Sequence, residues 1–509
     1  MSLRHRLVAN YGSQAIVAAS NILVVPLFWG LIGAEGYGLV SFFGLMQSWF
    51  QLLDLGLGQT LAREATRYRG GALDSRSFSG LLRASEFLFW IVGLLASVSV
   101  IVLSKWLSQS WLRAPPGTGD TVVLSIRIMA AIAAARWVAT LYRSVLQGLE
   151  EQFKLSGLAS LVAILRTFGV LLILKTFGAT IEIFFIIQLI IVAAELLVLI
   201  AWARRAAPPQ VENAGPLTLK PLLGIAGFSA SVAFSSAVWF FLSQADKLVL
   251  SRIMTLSEFG AFSLSVVVAG LVHLMAGPLG QVVLPRLTAL YSAGNAPEFT
   301  VLYHRATRIV SIMVFPVSVA MAAAAEVVLY VWSGDQALSH SGAGVFRFYV
   351  LGNALLSLSS FQYYLQYAKG DLRLNLVANV AFLLVFFPIL VLLVREFGVL
   401  GAGWGWFGQA AFYLLVWSLV VHARSGLILH WKWLGRDIGL PLLVSVIAAL
   451  LLQRLGLVPS SEMLSQNRAY LAVRLIGFGL LVLLPIIALS GWGEVRALFS
   501  RFGHQRLGH

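Results

Sequence analysis

The chain contains no cysteine, which excludes disulfides, thiolate metal sites and cysteine nucleophiles. Charge is scarce as well. Asp, Glu, Lys and Arg make up 11% of the 509 residues, whereas a water-facing surface needs roughly 25%. A string of soluble domains is thereby excluded. Acidic residues are the scarcer sign, 21 against 36 Lys and Arg. No phosphate-cradling loop of the GxxxxGK type is present, so nucleotide hydrolysis by this chain is not expected. The eight histidines are scattered without metal-ligand spacing, and no metal is expected.

What remains is apolar sequence. Hydrophobic residues reach 59%, and mean hydropathy is +0.87. Apolar stretches of about 20 residues, matched to about 30 Å of hydrocarbon, recur from end to end. They define an all-α polytopic membrane protein with about fourteen transmembrane helices. Expected spans are 8–32, 38–60, 82–104, 121–146, 155–176, 180–203, 222–248, 258–284, 307–332, 345–366, 373–394, 399–423, 437–457 and 469–490. Turn-forming residues punctuate the gaps, as in Pro115-Pro116-Gly117 and Pro208-Pro209 to Gly215-Pro216. Arg4, His5 and Arg6 before an apolar run resemble a signal peptide. The run is long and carries Asn10, Gln14 and Asn21, so it reads as an uncleaved first helix.

The net charge of +15 does not point to nucleic acid, because the basic residues sit in short loops between apolar spans. With the N-terminus inside, 23 of the 36 Lys and Arg fall in inner loops and ends and 8 in outer loops. Five stand within spans: Arg127, Arg136, Arg166, Arg347 and Arg474. This bias puts both termini in the cytoplasm and makes anionic membrane lipids the partner of the inner loops.

A shift of 222 positions places Tyr37-Gly38 on Phe259-Gly260, Leu57-Gly58-Gln59 on Leu279-Gly280-Gln281, and Thr66 on Thr288. The first two spans thus fall on the seventh and eighth. Six helices separate the copies, so both point the same way through the membrane, the parallel kind of repeat. The expected division is an N-lobe at 1–206, a cytoplasmic linker at 207–221, a C-lobe at 222–423, and two added helices with a tail at 424–509. Such lobes are related by a pseudo-twofold axis and enclose a central cavity where transporters bind substrate.

The first spans carry a further pattern. It runs Asn10-Tyr11-Gly12, Pro26, Leu31-Ile32-Gly33-Ala34-Glu35-Gly36-Tyr37-Gly38, then Leu53-Asp54-Leu55-Gly56-Leu57-Gly58 and a basic loop from Arg63. It resembles the polysaccharide transporters of the MOP exporter superfamily, the O-antigen and oligosaccharide flippases. There an LG-x-E-x-YG turn joins the first two helices and D-x-G closes the second. The motifs cover about residues 8–70; length, helix count and repeat extend the resemblance over most of the chain. The resemblance implies movement of undecaprenyl-pyrophosphate-linked oligosaccharide from the cytoplasmic to the periplasmic leaflet of a bacterial inner membrane. It also implies glycosyltransferases and a polysaccharide polymerase as partners. The lipid II flippases of the superfamily share the helix count, but their signatures are not visible in this sequence.

Charge at mid-bilayer depth marks the candidate site. Arg136 and Arg166 fall near the middle of the fourth and fifth spans, where each Arg costs roughly 2.5–3.5 kcal/mol unless it meets water or a partner. A pyrophosphate headgroup needs a cationic path, and the guanidinium fork binds phosphate oxygens in pairs. An interhelical ion pair with Glu195 is the alternative. Asn10, Gln14 and Asn21 share one face of the first span; Gln47, Gln51 and Asp54 share one face of the second. These stripes line a lumen or bond helix to helix. Glu195 and His273 are the candidates for coupling to H+ or Na+. Pro26 removes a backbone bond beside the first stripe and is a candidate hinge, or a static kink. Two competing functions remain: a multidrug exporter of small organic cations, for which an acidic lumen would be expected, and a membrane polymerase or ligase. The latter needs a sizeable outer catalytic loop, and the longest outer segment, about 105–120, offers only Lys105, Arg113 and Asp120.

Overall fold

The computed structural model of the chain describes residues 3–54, 56–207, 226–370, 373–426 and 430–490, together with Leu222. The side chains of residues 3–23 and most of those of 226–236 lie outside the described set. The expected linker at 207–221 falls almost wholly outside it.

Among the described residues every regular element is helical. The first is α1 (Leu3–Leu52), followed by α2 (Leu57–Arg69), α3 (Ser75–Trp111), α4 (Gly119–Gly148), α5 (Gln152–Phe177) and α6 (Ile181–Ala206). Next come α7 (Ala226–Ile253), α8 (Leu256–Leu274), α9 (Gly277–Ser292), α10 (Ala296–Ala323) and α11 (Ala325–Ser333). The last are α12 (Gln336–Lys369), α13 (Arg373–Ser425), α14 (His430–Arg454) and α15 (Arg468–Ser490). Ten runs are long and apolar enough to cross a membrane. Two of them turn within themselves, at Gly33 and Gly398. Splitting these runs and adding the long helices α7 and α12 gives fourteen among the described residues.

The turn in α1 has a local cause. Gly33 adopts φ 71° and ψ 179°, a backbone region that is essentially closed to residues with a Cβ. It is the glycine of the Leu31-Ile32-Gly33-Ala34-Glu35 segment, expected to join the first two spans. Pro26 lies seven residues earlier, and the helical path is broken at Gly33 rather than there.

The second span differs from the expected 38–60: it ends at Leu52. Gly56 takes φ 70°, and the Asp54 carboxylate accepts the Gly58 amide at 3.2 Å, capping a new helix, α2. The same device starts α10 at 296 rather than 307, because the Asn295 side chain accepts the Glu298 amide and Pro297 occupies the first turn.

Contacts divide the chain into Met1–Gly260 and Ala261–His509. The expected lobes follow the repeat instead, so α7 belongs to the second repeat copy yet packs on α1 and α2 within the first unit. In that unit α4 is the central element, packed on α1, α2, α3 and α6. Its run Ala133-Ala134-Ala135 lets neighbours approach closely, which replaces the hydrophobic driving force that lipid cannot supply. In the second unit α10 and α12 hold the centre, with α14 and α15 packed on α10.

The repeat is visible in the breaks. The helix ending at Leu52 and the helix ending at Leu274 stand 222 positions apart, and each is followed by a short helix, α2 or α9. Within the first unit, the start of α8 crosses α1 just past its turn. A Cβ on Gly38 would overlap the carbonyl oxygen of Leu256, and one on Gly260 would overlap that of Ala34. Shifting by 222 exchanges the two halves of this contact.

Candidate functional site

The first unit gathers three arginines and one carboxylate from three helices. Arg136 stands just past the midpoint of α4, and Arg143 lies two turns further on the same face. Arg166 comes from α5, inside a widened π turn at Leu165–Gly169; such turns often mark functional positions. Glu195 comes from α6, its side chain 2% exposed. Arg143 donates to one oxygen of Glu195, and Arg166 donates to the other at 3.2 Å. The interhelical pair weighed as the alternative reading of Arg166 is therefore present, and Arg143 shares it.

Among the described residues Arg136 has no carboxylate partner. It donates to the Gln47 side-chain oxygen of α1 and lies over the Phe43 ring, 5.4 Å from its centroid. Among the described residues the Nε atoms of Arg136 and Arg166 are buried and have no hydrogen-bond partner. Three guanidinium groups against one carboxylate leave an excess of two positive charges. Buried charge of one sign is costly unless something neutralises it. An anion with several oxygens would answer both the excess charge and the open N–H groups. The cluster opens along Arg143, whose side chain is 44% exposed, while that of Arg166 is 21% exposed. Gln188, seven residues before Glu195 on the same face of α6, adds a buried oxygen without a partner among the described residues.

Of the expected site residues, the structure brings together Arg136, Arg166, Gln47 and Glu195. Gln51 is exposed on α1, one turn beyond Gln47. Asp54 is not on that face, because the span has ended and its carboxylate caps α2. The side chains of Asn10, Gln14 and Asn21 lie outside the described residues. His273 is in the second unit and pairs with Ser357 at 3.1 Å. Ser357 gives its hydrogen to the Asn353 carbonyl, so His273 is the donor from Nδ1. Arg127 donates to Ser104, Arg347 to the Ala322 carbonyl, and Arg474 to the Met463 sulfur.

Sequence reasoning missed Arg143, which was counted among the inner-loop residues. Its position seven residues after Arg136 was the available signal. A second polar cluster was missed entirely. In the second unit His304 and Arg308 of α10 bond Asp437 of α14, and Tyr303 bonds His422, which meets His430.

The sequence matches the family model for "Polysaccharide biosynthesis protein" over residues 8–291. Among proteins of curated function none matches. Solved structures of the same fold include the lipid II flippase MurJ in an inward closed conformation. It is 13% identical, with TM-score 0.69, covering 95% of this chain and 98% of that one. An inward-facing multidrug resistance MATE family transporter of the MOP superfamily is 18% identical, with TM-score 0.59, covering 81% and 95%. A MATE protein in complex with MaD5 is 15% identical, with TM-score 0.55, covering 82% and 94%. These likenesses establish the fold. The family match covers more than half of the chain and includes every residue of the arginine cluster, and by it the chain belongs to the polysaccharide biosynthesis protein family.

Proposed function

We propose that the protein is a flippase that carries an undecaprenyl-pyrophosphate-linked oligosaccharide across a bacterial inner membrane by alternating access, with no covalent chemistry of its own. The observation that carries this reading is the cationic excess at Arg136, Arg143 and Arg166 inside membrane-spanning helices. A pyrophosphate supplies the negative charge that Glu195 alone does not. Arg136 is the principal headgroup contact, since Gln47 and Phe43 hold it without neutralising it. Gln47 and Gln51 extend a polar face along α1 beside it. Exported organic cations would be repelled by the same cluster, so the cation-exporter reading has no support in this site.

The family match and the fold shared with a lipid II flippase support the coarser assignment; the glycan-linked substrate rests on the site chemistry. The loop charge bias supports a cytoplasmic position for both termini. The test is the lipid-linked glycan pool of a deletion strain, with leaflet assigned by periplasmic labelling. Cytoplasmic-leaflet accumulation of undecaprenyl-pyrophosphate oligosaccharide, cleared by the wild-type chain, is expected. Arg136→Ala should weaken headgroup binding by about 10- to 100-fold, the worth of a charge-assisted contact of roughly 1.5–3 kcal/mol. A normal pool with intact surface polysaccharide would overturn the assignment.

A further inference from the structure

We infer that the unit Ala261–His509 contains a proton-binding site: a buried hydrogen-bond chain from Tyr303 through His422 to His430 that takes up one proton and stores it on His430. The inference rests on the packing of this unit alone and stands or falls independently of the flippase reading.

Three helices build the chain. Tyr303 comes from α10 and is fully buried; His422 and His430 face each other across the junction of α13 and α14, 1% and 6% exposed. The Tyr303 hydroxyl meets His422 Nε2 at 2.8 Å, and His422 Nδ1 meets His430 Nδ1 at 3.1 Å. His430 Nε2 ends the chain, buried and without a partner among the described residues. Two nitrogens facing at this distance share a single hydrogen, so the bonds all run in one direction. In the neutral chain Tyr303 donates to His422, and His422 donates to His430.

One more proton is accommodated by reversal of the chain. Hydronium supplies it at the Tyr303 oxygen, reached from the side of the neighbouring His304, whose side chain is 21% exposed. The original hydroxyl hydrogen passes to His422 Nε2, and the His422 Nδ1 hydrogen passes to His430 Nδ1. Each hop breaks one O–H or N–H bond and forms the next. The product is a His430 imidazolium that donates to His422, which donates to Tyr303. Both bonds of the chain survive in the charged form.

Aromatic rings offset part of the cost of burying that charge. The His430 ring centroid is 5.3 Å from that of Trp431 and 5.8 Å from that of Trp433, and aromatic rings attract cations. Trp433 is pinned by its N–H to Thr307 at 3.0 Å. Asp437, on α14 in a π turn, is already engaged: Arg308 donates to one oxygen and His304 to the other. His304, next to Tyr303, has a side chain 21% exposed and is the member of the network nearest open space. From α12 the chain meets Phe361 against Tyr303, while Lys369 donates to the Ser425 carbonyl. Arg424, Lys432 and Arg436 are exposed, and Arg305 is half-buried on α10. On α15, Arg468 bonds the Val331 and Trp332 carbonyls and Arg474 the Met463 sulfur. Glu195, the coupling candidate of the first unit, is held by two guanidinium groups, so this chain is the better-placed proton acceptor.

The purified full-length protein in lipid nanodiscs tests the site through tryptophan emission between pH 8 and 4. A protonated His430 quenches Trp431 and Trp433, giving a reversible step as pH falls. The step should vanish in His430→Gln and persist in His304→Gln. Tyr303→Phe keeps the ring and its packing but removes the entry atom and one bond from each form of the chain, and should shift or abolish the step. If His430→Gln does not yield a monodisperse protein, Trp431→Phe/Trp433→Phe serves in its place and should remove the step. A step that is absent from the wild type, or unchanged in His430→Gln and Tyr303→Phe, overturns the inference.

Discussion

Glu195 is the residue whose neighbours predict most. Its side chain is 2% exposed and its two oxygens are divided between Arg143 and Arg166. Removing either arginine leaves the carboxylate with one cation. Arg143 is 44% exposed, so its pairing is screened and Arg143→Ala should cost about 1 kcal/mol. Arg166 is less exposed, and Arg166→Ala should cost about 2 kcal/mol. Removing both strands a buried carboxylate, which typically costs about 3–5 kcal/mol by itself. The double variant should therefore fall below the sum of the singles by about 1–3 kcal/mol, the range seen for residues sharing a partner. Adding Glu195→Gln to the double variant removes the stranded charge and should recover most of that excess. Thermal unfolding in detergent, followed by size exclusion, reads the order of midpoints: singles highest, the triple variant next, the double lowest. An additive double variant, or a triple variant no better than the double, would refute the shared-carboxylate geometry.

Two further outcomes follow from backbone geometry outside the cluster. Gly33→Ala forces a Cβ into φ 71°, ψ 179° and should destabilise the α1 turn by about 1–3 kcal/mol; a midpoint equal to wild type would contradict the turn. At the start of α3, the Ser77 hydroxyl and amide hold the exposed Asp74 carboxyl below its ordinary value. That capping is present above about pH 3.9 and is lost as pH falls through the depressed folded value. Amide exchange at 75–80, corrected for intrinsic rate, should rise in that acid window for wild type and not for Asp74→Ala.

The spans were legible because lipid enforces a single period and length, and because Gly33 and Gly398 punctuate the runs. Arg136, Arg166 and Glu195 were legible because charge is scarce among apolar helices. Arg143 was hidden by its place near the end of the expected span 121–146, where it was grouped with the inner loops and ends, whereas α4 runs to Gly148 and carries it on the same face as Arg136. Asp54 misled in the opposite way. Spacing of 4 and 3 from Gln47 and Gln51 implies one face only while the helix lasts, and Gly56 ends it. The Tyr303–His422–His430 chain has no signature, since its members lie on three helices and up to 127 positions apart in sequence. Only packing brings them together.

The repeat separates scaffold from chemistry, and the separation can be tested. Shifted by 222, Gln47, Arg136, Arg143, Arg166 and Glu195 fall on Ala269, Leu358, Leu365, Pro388 and Trp417, so the second copy carries none of the cationic cluster. The backbone contact of Gly38 with Leu256 and of Gly260 with Ala34 is, by contrast, retained in both copies. A contact that the repeat maps onto itself should respond equally from either side. Gly38→Ala and Gly260→Ala each drive a methyl into a carbonyl and should each lower stability by about 1–3 kcal/mol, the usual range for overpacking. Because both relieve the same crossing once it has separated, the double variant should cost less than the sum. Two substitutions of unequal effect, or strictly additive ones, would show that the crossing is held by something other than this reciprocal glycine contact.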